Sequence, residues 1–188
     1  VNYADFNLAH GDTLIDPQHW DDEPFEAIVS NPPYSIKWEG DANPLLINDE
    51  RFAPAGVLAP KSKADLAFTM HMLSWLAVNG TAAIVEFPGV LYRGGTERKI
   101  REYLLKQNVV DAVIQLPANL FYSTGIPVCI LVLKKCKKPD DVLFINAAEH
   151  YERGKRQNRL LESHIDRIVS TFAPRSAPRE QHSDTLIV

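Results

Sequence analysis

A short apolar run, Ala27-Ile28-Val29, follows the polar Asp21-Asp22-Glu23 and ends at Ser30-Asn31-Pro32-Pro33. The double proline constrains the fold more than any other feature of the chain. Proline has no N–H to give to a β-ladder, so two in succession end any pairing inside a sheet. The pattern predicts a buried strand over residues 27–29 that feeds a stiff loop. Residues 36–60 are rich in Gly, Pro, Asn and Asp and show no sustained period, which predicts a long loop of the kind that carries function.

Beyond that loop, Ser62 or Asp65 is expected to open a helix reaching Leu76, with Leu66, Met70, Leu73 and Ala77 at helical spacing and Asn79-Gly80 as the stop. A strand over 81–87 follows, closed by Pro88-Gly89, and Thr96 is expected to cap a helix running to Gln107. Strand-like runs cover 109–116, 126–133 and 142–147. A helix is predicted over 158–172, with Leu161, Ile165, Ile168 and Val169 on one face. Residues 3–8 already read as part of an element. This alternation predicts an α/β fold, a parallel sheet with helices on both faces. The short 116–126 connection predicts that the strands it joins are antiparallel. One domain over 1–173 and a polar tail over 174–188 are expected.

The chain has 188 residues, 45% hydrophobic and 23% charged, which is the composition of one globular domain. Its longest apolar run, residues 126–133, falls far short of the roughly 20 residues of a membrane span. A formal charge of −4 argues against coating nucleic acid by bulk electrostatics and leaves local basic patches open. Two cysteines, Cys129 and Cys136, make neither a disulfide framework nor a zinc pair, so a reducing, cytoplasmic compartment is expected. The six histidines show no metal pairing, and His10 and His71 are expected to be structural.

Sites in open α/β sheets lie at the carboxyl ends of strands, where Asn31-Pro32-Pro33-Tyr34 sits. An exocyclic amine is a poor nucleophile because its lone pair is delocalised. Two acceptors on its hydrogens favour the pyramidal, nucleophilic form. The Asn31 side-chain oxygen can be one and the Pro32 carbonyl, presented by the stiff Pro32-Pro33 backbone, the other. Tyr34 adds a flat face on which a planar substrate can stack. The plainer alternative is that these residues only stop a strand.

Asn-Pro-Pro-Tyr is the signature of adenine-N6 methyltransferases of the class I, S-adenosylmethionine-dependent fold, and the chain resembles that family. Residues 30–38, Asp49-Glu50-Arg51-Phe52, Pro60-Lys61-Ser62-Lys63-Ala64-Asp65-Leu66-Ala67-Phe68, Gly89-Val90-Leu91-Tyr92-Arg93, and Leu116-Pro117 through Ile126-Pro127 together resemble the modification (M) subunit of type I restriction-modification systems. The match extends to about residue 172. It implies a Rossmann-like sheet, mostly parallel with an antiparallel strand near its end. It also implies site-specific N6 methylation of adenine by S-adenosylmethionine, with duplex DNA and its flipped adenine, a DNA-specificity subunit and a restriction subunit as partners.

The resemblance assigns Asn31, Pro32, Pro33 and Tyr34 to catalysis. Asp12, in Gly11-Asp12-Thr13-Leu14, is implied to hold the adenine amine of the cofactor, with an Asx turn as the alternative. Phe68 is implied to pack on the cofactor, against the stronger alternative of ordinary core packing. Phe121, in Asn119-Leu120-Phe121-Tyr122, is implied to help Tyr34 hold the target base, or else covers the sheet end as a loop aromatic. Of two basic clusters, 134–138 and 153–156, Lys155 and Arg156 are candidate DNA contacts, with a solvated edge as the alternative. Arg98, Lys99, Arg101 and Lys106 are expected to pair with Glu97 and Glu102 along their helix.

Such enzymes carry a Gly-rich loop after the first strand and an acidic residue after the second. Neither is found here, because Gly94-Gly95 follows the Asn31 strand instead of preceding it. A piece that begins after the cofactor-binding strands, inactive alone, is therefore expected. Two other readings remain open at this point. The same tetrapeptide serves methylation of a protein glutamine amide, and a methyltransferase-like scaffold for subunit assembly needs no cofactor loop.

Overall fold

The computed structural model describes residues 6–19, 23–122, 124–173 and 185–187. Six strands form a single mixed sheet: β1 (Phe25–Ser30), β2 (Leu76–Glu86), β3 (Val110–Gln115), β4 (Cys129–Lys134), β5 (Leu143–Asn146) and β6 (Thr185–Ile187), in the order β1-β2-β4-β3-β5-β6. β1 runs parallel to β2 and β3 parallel to β5, while β4 is inserted antiparallel between β2 and β3. The antiparallel turn expected between the 109–116 and 126–133 runs is present. The expected parallel pairs flank it on either side, β1 with β2 and β3 with β5, and β6 adds a second antiparallel strand. A connection this short lets β4 fold straight back along β3, and its far side then pairs with β2.

Strand periodicity divides the core in two. Ala82, Ile84, Leu131 and Leu133 belong to a first cluster, and the intervening Val85, Ile130 and Val132 to a second. Alternate side chains point to opposite faces, so the clusters mark the two faces of the sheet. Helix α1 (Asp65–Trp75) and helix α2 (Gly95–Lys106) supply Leu66, Met70, Leu73, Ile100 and Leu104 to the first. Helix α3 (Glu162–Phe172) supplies Ile168 and Phe172 to the second. Helices thus cover both faces, as expected. α1 is buried along nearly its whole length, because β2 and residues 36–60 enclose it.

Several expected boundaries move, each for a tertiary reason. α1 stops at Trp75, and Leu76 is already in β2, opposite Phe25. The next paired residue is Thr81, opposite Ala27, so Asn79-Gly80 lies in an irregularity of the ladder and does not end the helix. α1 does begin at Asp65, one of the two expected openings, whereas Thr96 does not cap α2, which opens at Gly95 with φ +66° and no side-chain cap. α3 begins at Glu162, later than the expected 158, because Glu152 and Arg159 exchange backbone hydrogen bonds of 2.9 and 3.0 Å and hold that stretch in a bridged turn.

The expected buried strand is β1, and among the described residues it lies at an edge of the sheet, with Val29 85% exposed. Among the described residues it pairs only with β2. Residues 36–60 are packed more tightly than a surface loop. They form three single-turn 3-10 helices and contribute Trp38, Leu46, Phe52 and Leu58 to the first core cluster. Thr185–Ile187, expected in the polar tail, pairs antiparallel with β5. Residues 3–5 of the expected first element and residues 174–184 of the tail lie outside the described residues, and residues 6–10 have no regular structure. No helix of the described residues is long and apolar enough to cross a membrane.

At Gly80 a Cβ would stand 2.8 Å from both the Phe25 carbonyl oxygen and a Leu76 methyl. Backbone cannot move aside as a flexible side chain can. Gly80→Ala is expected to destabilise the chain by about 1–3 kcal/mol, read as a lower urea midpoint at unchanged slope.

Candidate active site

The last rung of the β1–β2 ladder joins Ser30 to Ile84, and the chain then enters Asn31-Pro32-Pro33-Tyr34 at the carboxyl edge of both strands. Asn31 is exposed, Pro32 buried and Tyr34 half-buried. The Tyr34 hydroxyl donates to Asn31 Oδ1 at 2.5 Å, so the loop closes on itself. That bond selects which end of the carboxamide is the oxygen and leaves its second lone pair available. Burial, then the nearby Glu86 and Cys129, hold the Tyr34 hydroxyl above the usual phenol value, so it stays a donor. Ser35 next adopts a left-handed conformation, φ +51°, and its N–H donates to Asp65 Oδ1 at 2.8 Å.

Behind this loop the interior is unusually rich in acids. Asp65, Glu86 and Glu97 are all buried, and the Arg93 guanidinium lies among them, 3.1 Å from Glu97 and 3.8 Å from Asp65. Glu86 ends β2, and its Oε1 accepts from the Thr69 hydroxyl at 2.7 Å. Burial raises its carboxyl to about 8, the Thr69 bond and Arg93 opposing and Asp65 and Glu97 adding to the shift. Cys129, paired opposite Glu86, is pushed up to about 12, by burial first and by Glu86 second. Its thiol is inert packing.

Asp12 stands on a separate turn. Its Oδ1 accepts from the Leu14 N–H at 3.0 Å, and its carbonyl accepts from Ile15 and Asp16 at 3.1 and 2.7 Å. The Asx turn is therefore formed, and the exposed carboxylate also borders an open cleft of about 650 Å³ with Lys37, Trp38, Asn43 and Lys61. The two alternatives for Asp12 are compatible. Arg51, only 3% exposed, holds this turn against residues 36–60. It donates to the Thr13 and Leu14 carbonyls at 2.9 and 2.8 Å and to both Asp49 oxygens at 2.9 and 2.7 Å. Its remaining N–H meets His71 Nδ1 at 3.2 Å, which leaves the proton on Nε2, 2.9 Å from the Thr13 hydroxyl. Burial, then Arg51, depress His71 to about 4 against the opposing pull of Asp49. His71 is structural, as expected, while His10 lies exposed.

Tyr34 and Phe121 pack against the same core cluster, on the second face of the sheet. The Phe121 segment is moored to the bridged turn 152–159. Asn119 Nδ2 donates to the Arg156 carbonyl at 3.3 Å, the Asn158 N–H to the Asn119 carbonyl at 2.8 Å, and Gln157 Nε2 to the Leu120 carbonyl. At Gly154 a Cβ would stand 2.0 Å from the Gln157 carbonyl oxygen, so the turn requires glycine. It exposes Arg153, Lys155 and Arg156 beside the aromatic segment. Phe68 lies in the first core cluster, 8% exposed, among residues of α1. Of the helical charge pairs, Arg98–Glu102 forms at 2.9 Å, whereas Arg101 donates to the Val90 carbonyl and Glu97 takes Arg93. Among the described residues no His, Cys, Asp and Glu cluster could hold a metal.

Sequence reasoning missed Arg51, Asp65 and Glu86 as parts of the site. Arg51 and Asp65 meet partners some 30–38 residues away. Only Glu86 left a signal, as a lone acid ending an apolar strand.

Because Glu86 binds its proton more tightly folded than unfolded, its contribution to stability is complete below about 4.5 and is lost as pH rises to about 8. Glu86→Gln keeps the acceptor for Thr69 and removes the titration. The variant is expected to melt at least ~3 °C above the unsubstituted chain at pH 8.5, with the difference shrinking toward pH 5, by calorimetry across that range.

Comparison with known proteins places the chain in a family and a fold. The family model described as N-6 DNA Methylase matches residues 1–185. The type I restriction enzyme MpnII methylase subunit of Mycoplasma pneumoniae is 51% identical over 92% of this chain and 33% of its own length. The crystal structure of a type I restriction-modification methyltransferase subunit from Streptococcus thermophilus superposes with a TM-score of 0.86 at 39% identity, over 94% of this chain and 37% of that one. A putative class I S-adenosylmethionine-dependent methyltransferase from Listeria monocytogenes shares the fold, with a TM-score of 0.60 at 20% identity, over 88% of this chain and 46% of that one. The chain thus spans about a third of the length of its type I relatives. The sheet with its inserted antiparallel strand is the class I methyltransferase fold, and the chain belongs to the N-6 DNA methylase family.

Proposed function

We propose that this chain carries the target-base side of an adenine-N6 DNA methyltransferase that works as the modification subunit of a type I restriction-modification complex. The observation that carries the reading is the closed Asn31–Tyr34 loop at the edge of β1, whose carboxamide oxygen is oriented by the Tyr34 hydroxyl at 2.5 Å. The 51% identity to a type I methylase subunit favours DNA over a protein glutamine amide as the substrate, and a specificity and a restriction subunit as partners.

The residues present fit the adenosine end of S-adenosylmethionine. Asp12 offers an exposed carboxylate to an adenine amine, and the cleft beside it has an aromatic wall at Trp38. When bound, the cofactor supplies a methyl group on a sulfonium, which needs no metal to activate it. Asn31 Oδ1 and the Pro32 carbonyl accept the hydrogens of the target amine and hold its lone pair out of conjugation. Tyr34 and Phe121 receive the extruded base on their aromatic faces, and Lys155 and Arg156 meet backbone phosphates next to them. Phe68, 8% exposed in the first core cluster, would support the cofactor through packing and does not line the Asp12 cleft. Positioning supplies most of the rate.

In the assembled complex Asn31→Ala is expected to slow methyl transfer by about 10²–10³-fold, by analogy with the loss of one preorganised hydrogen-bonding group. Transfer of labelled methyl groups to a DNA duplex is the assay, and an unchanged rate overturns the assignment. Tyr34→Ala and Phe121→Ala are expected to lower the emission of 2-aminopurine at the target position while leaving DNA affinity nearly intact, because stacking holds the base at about 1–3 kcal/mol each.

A further inference from the structure

Asp65 is the first residue of α1, where its charge favours the helix dipole, yet its side-chain hydrogen bond goes elsewhere. The cap position is Ala64, which has no polar side chain to cap with, and the Asp65 carboxylate makes no cap bond in its place. The carboxylate turns away and accepts the Ser35 N–H at 2.8 Å, while the neighbouring Ala64 N–H donates to the Ile36 carbonyl at 2.9 Å. Two hydrogen bonds therefore fasten the exit of the Asn31–Tyr34 loop to the first turn of a helix that is itself buried. The residue so held is strained. Ser35 has φ +51°, a left-handed conformation that a non-glycine residue keeps only when its surroundings impose it.

The anchor is also costly, because Asp65 is 1% exposed and its Oδ2 accepts no hydrogen bond among the described residues. Its counter-charge is Arg93, 3.8 Å away, itself held by Glu97 and lying over the Phe87 ring at 5.1 Å. Gly89 makes room for it, since a Cβ there would stand 2.4 Å from the guanidinium. A buried acid that neither caps its helix nor is fully hydrogen-bonded, yet grips a strained residue next to the reacting loop, has positioning as its evident use.

We propose that Asp65 is a positioning residue for methyl transfer: it holds Ser35 in the left-handed turn that aims Tyr34 back at Asn31, with Arg93 supplying the counter-charge. The inference rests on the function proposed for Asn31 and extends it to a residue that touches neither base nor cofactor.

The test compares Asp65→Ala, Asp65→Asn and Asn31→Ala in the assembled modification complex. Two readouts are taken: steady-state methyl transfer, and hydrogen exchange of the 31–36 segment by mass spectrometry. Asp65→Ala removes the acceptor and is expected to lower kcat about 10–10²-fold, the scale of an ångström-sized misplacement, with KM for S-adenosylmethionine within twofold and faster exchange in 31–36. Asp65→Asn keeps an oxygen for Ser35 and is expected to retain slow exchange and a kcat within about fivefold. A kcat in Asp65→Ala equal to the unsubstituted complex, or a full loss in the still-folded Asp65→Asn, overturns the proposal. Exchange that responds as expected while Asn31→Ala methylates normally would instead retain the anchor and reject the function it was thought to serve.

Discussion

Everything at the functional edge follows from where one ladder has to end. Ser30 meets Ile84, and two residues later the chain has no N–H left to offer. β2 continues to Glu86 and β3 to Gln115, both opposite Cys129 where β4 begins, so β1, β2 and β3 finish at nearly one level. The exposed carboxamide of Asn31, the half-buried ring of Tyr34 and the buried carboxyl of Glu86 are gathered at that level. The segment carrying Phe121 leaves β3 on the same side, because β3 runs in the direction of β2. A parallel pair flanking one inserted antiparallel strand thus brings together groups separated by about ninety residues.

The loops that shape the site are held by buried charge. Arg51 spends all five of its N–H groups on Asp49, His71 and the Thr13–Leu14 backbone, and Arg93 sits among Asp65, Glu86 and Glu97. Burying such groups costs several kcal/mol each, and apolar replacements of equal volume often stabilise as well. Their return is geometric. A guanidinium accepts only one arrangement of partners, so each cluster admits only one position for the backbone it grips. One grips the turn of Asp12 and the other, through Asp65, the exit of the Asn31–Tyr34 loop.

On the function proposed, this division has a chemical sense. The two substrates would meet at different loops, the cofactor's adenosine at the Asp12 cleft and the target base between Tyr34 and Phe121. Residues 36–60 lie between them in the sequence, pack Trp38 and Phe52 at 5.4 Å and carry Arg51 back to the first loop. A flexible connection here would let the two ends drift. Its core residues make it a spacer of fixed length.

The sequence by itself determined the three long helices, the strands β1 to β5, the α/β class and the edge at which chemistry belongs. Periodicity and proline report on hydrogen bonding within a few residues, and each of those outcomes is local. Asn31-Pro32-Pro33-Tyr34 was legible for the same reason, since backbone stiffness and an aromatic neighbour are written in consecutive letters. Helix ends were not. Asn79-Gly80 reads as a stop, yet Leu76 had already been taken by Phe25 across the ladder, and Thr96 reads as a cap that a left-handed Gly95 makes unnecessary. Only the tertiary structure decided that among the described residues β1 pairs with β2 alone, that the Asp65 carboxylate takes the Ser35 N–H, and that Arg51 reaches Thr13. Those are contacts between residues dozens of positions apart, and their energy depends on burial, which no local pattern encodes.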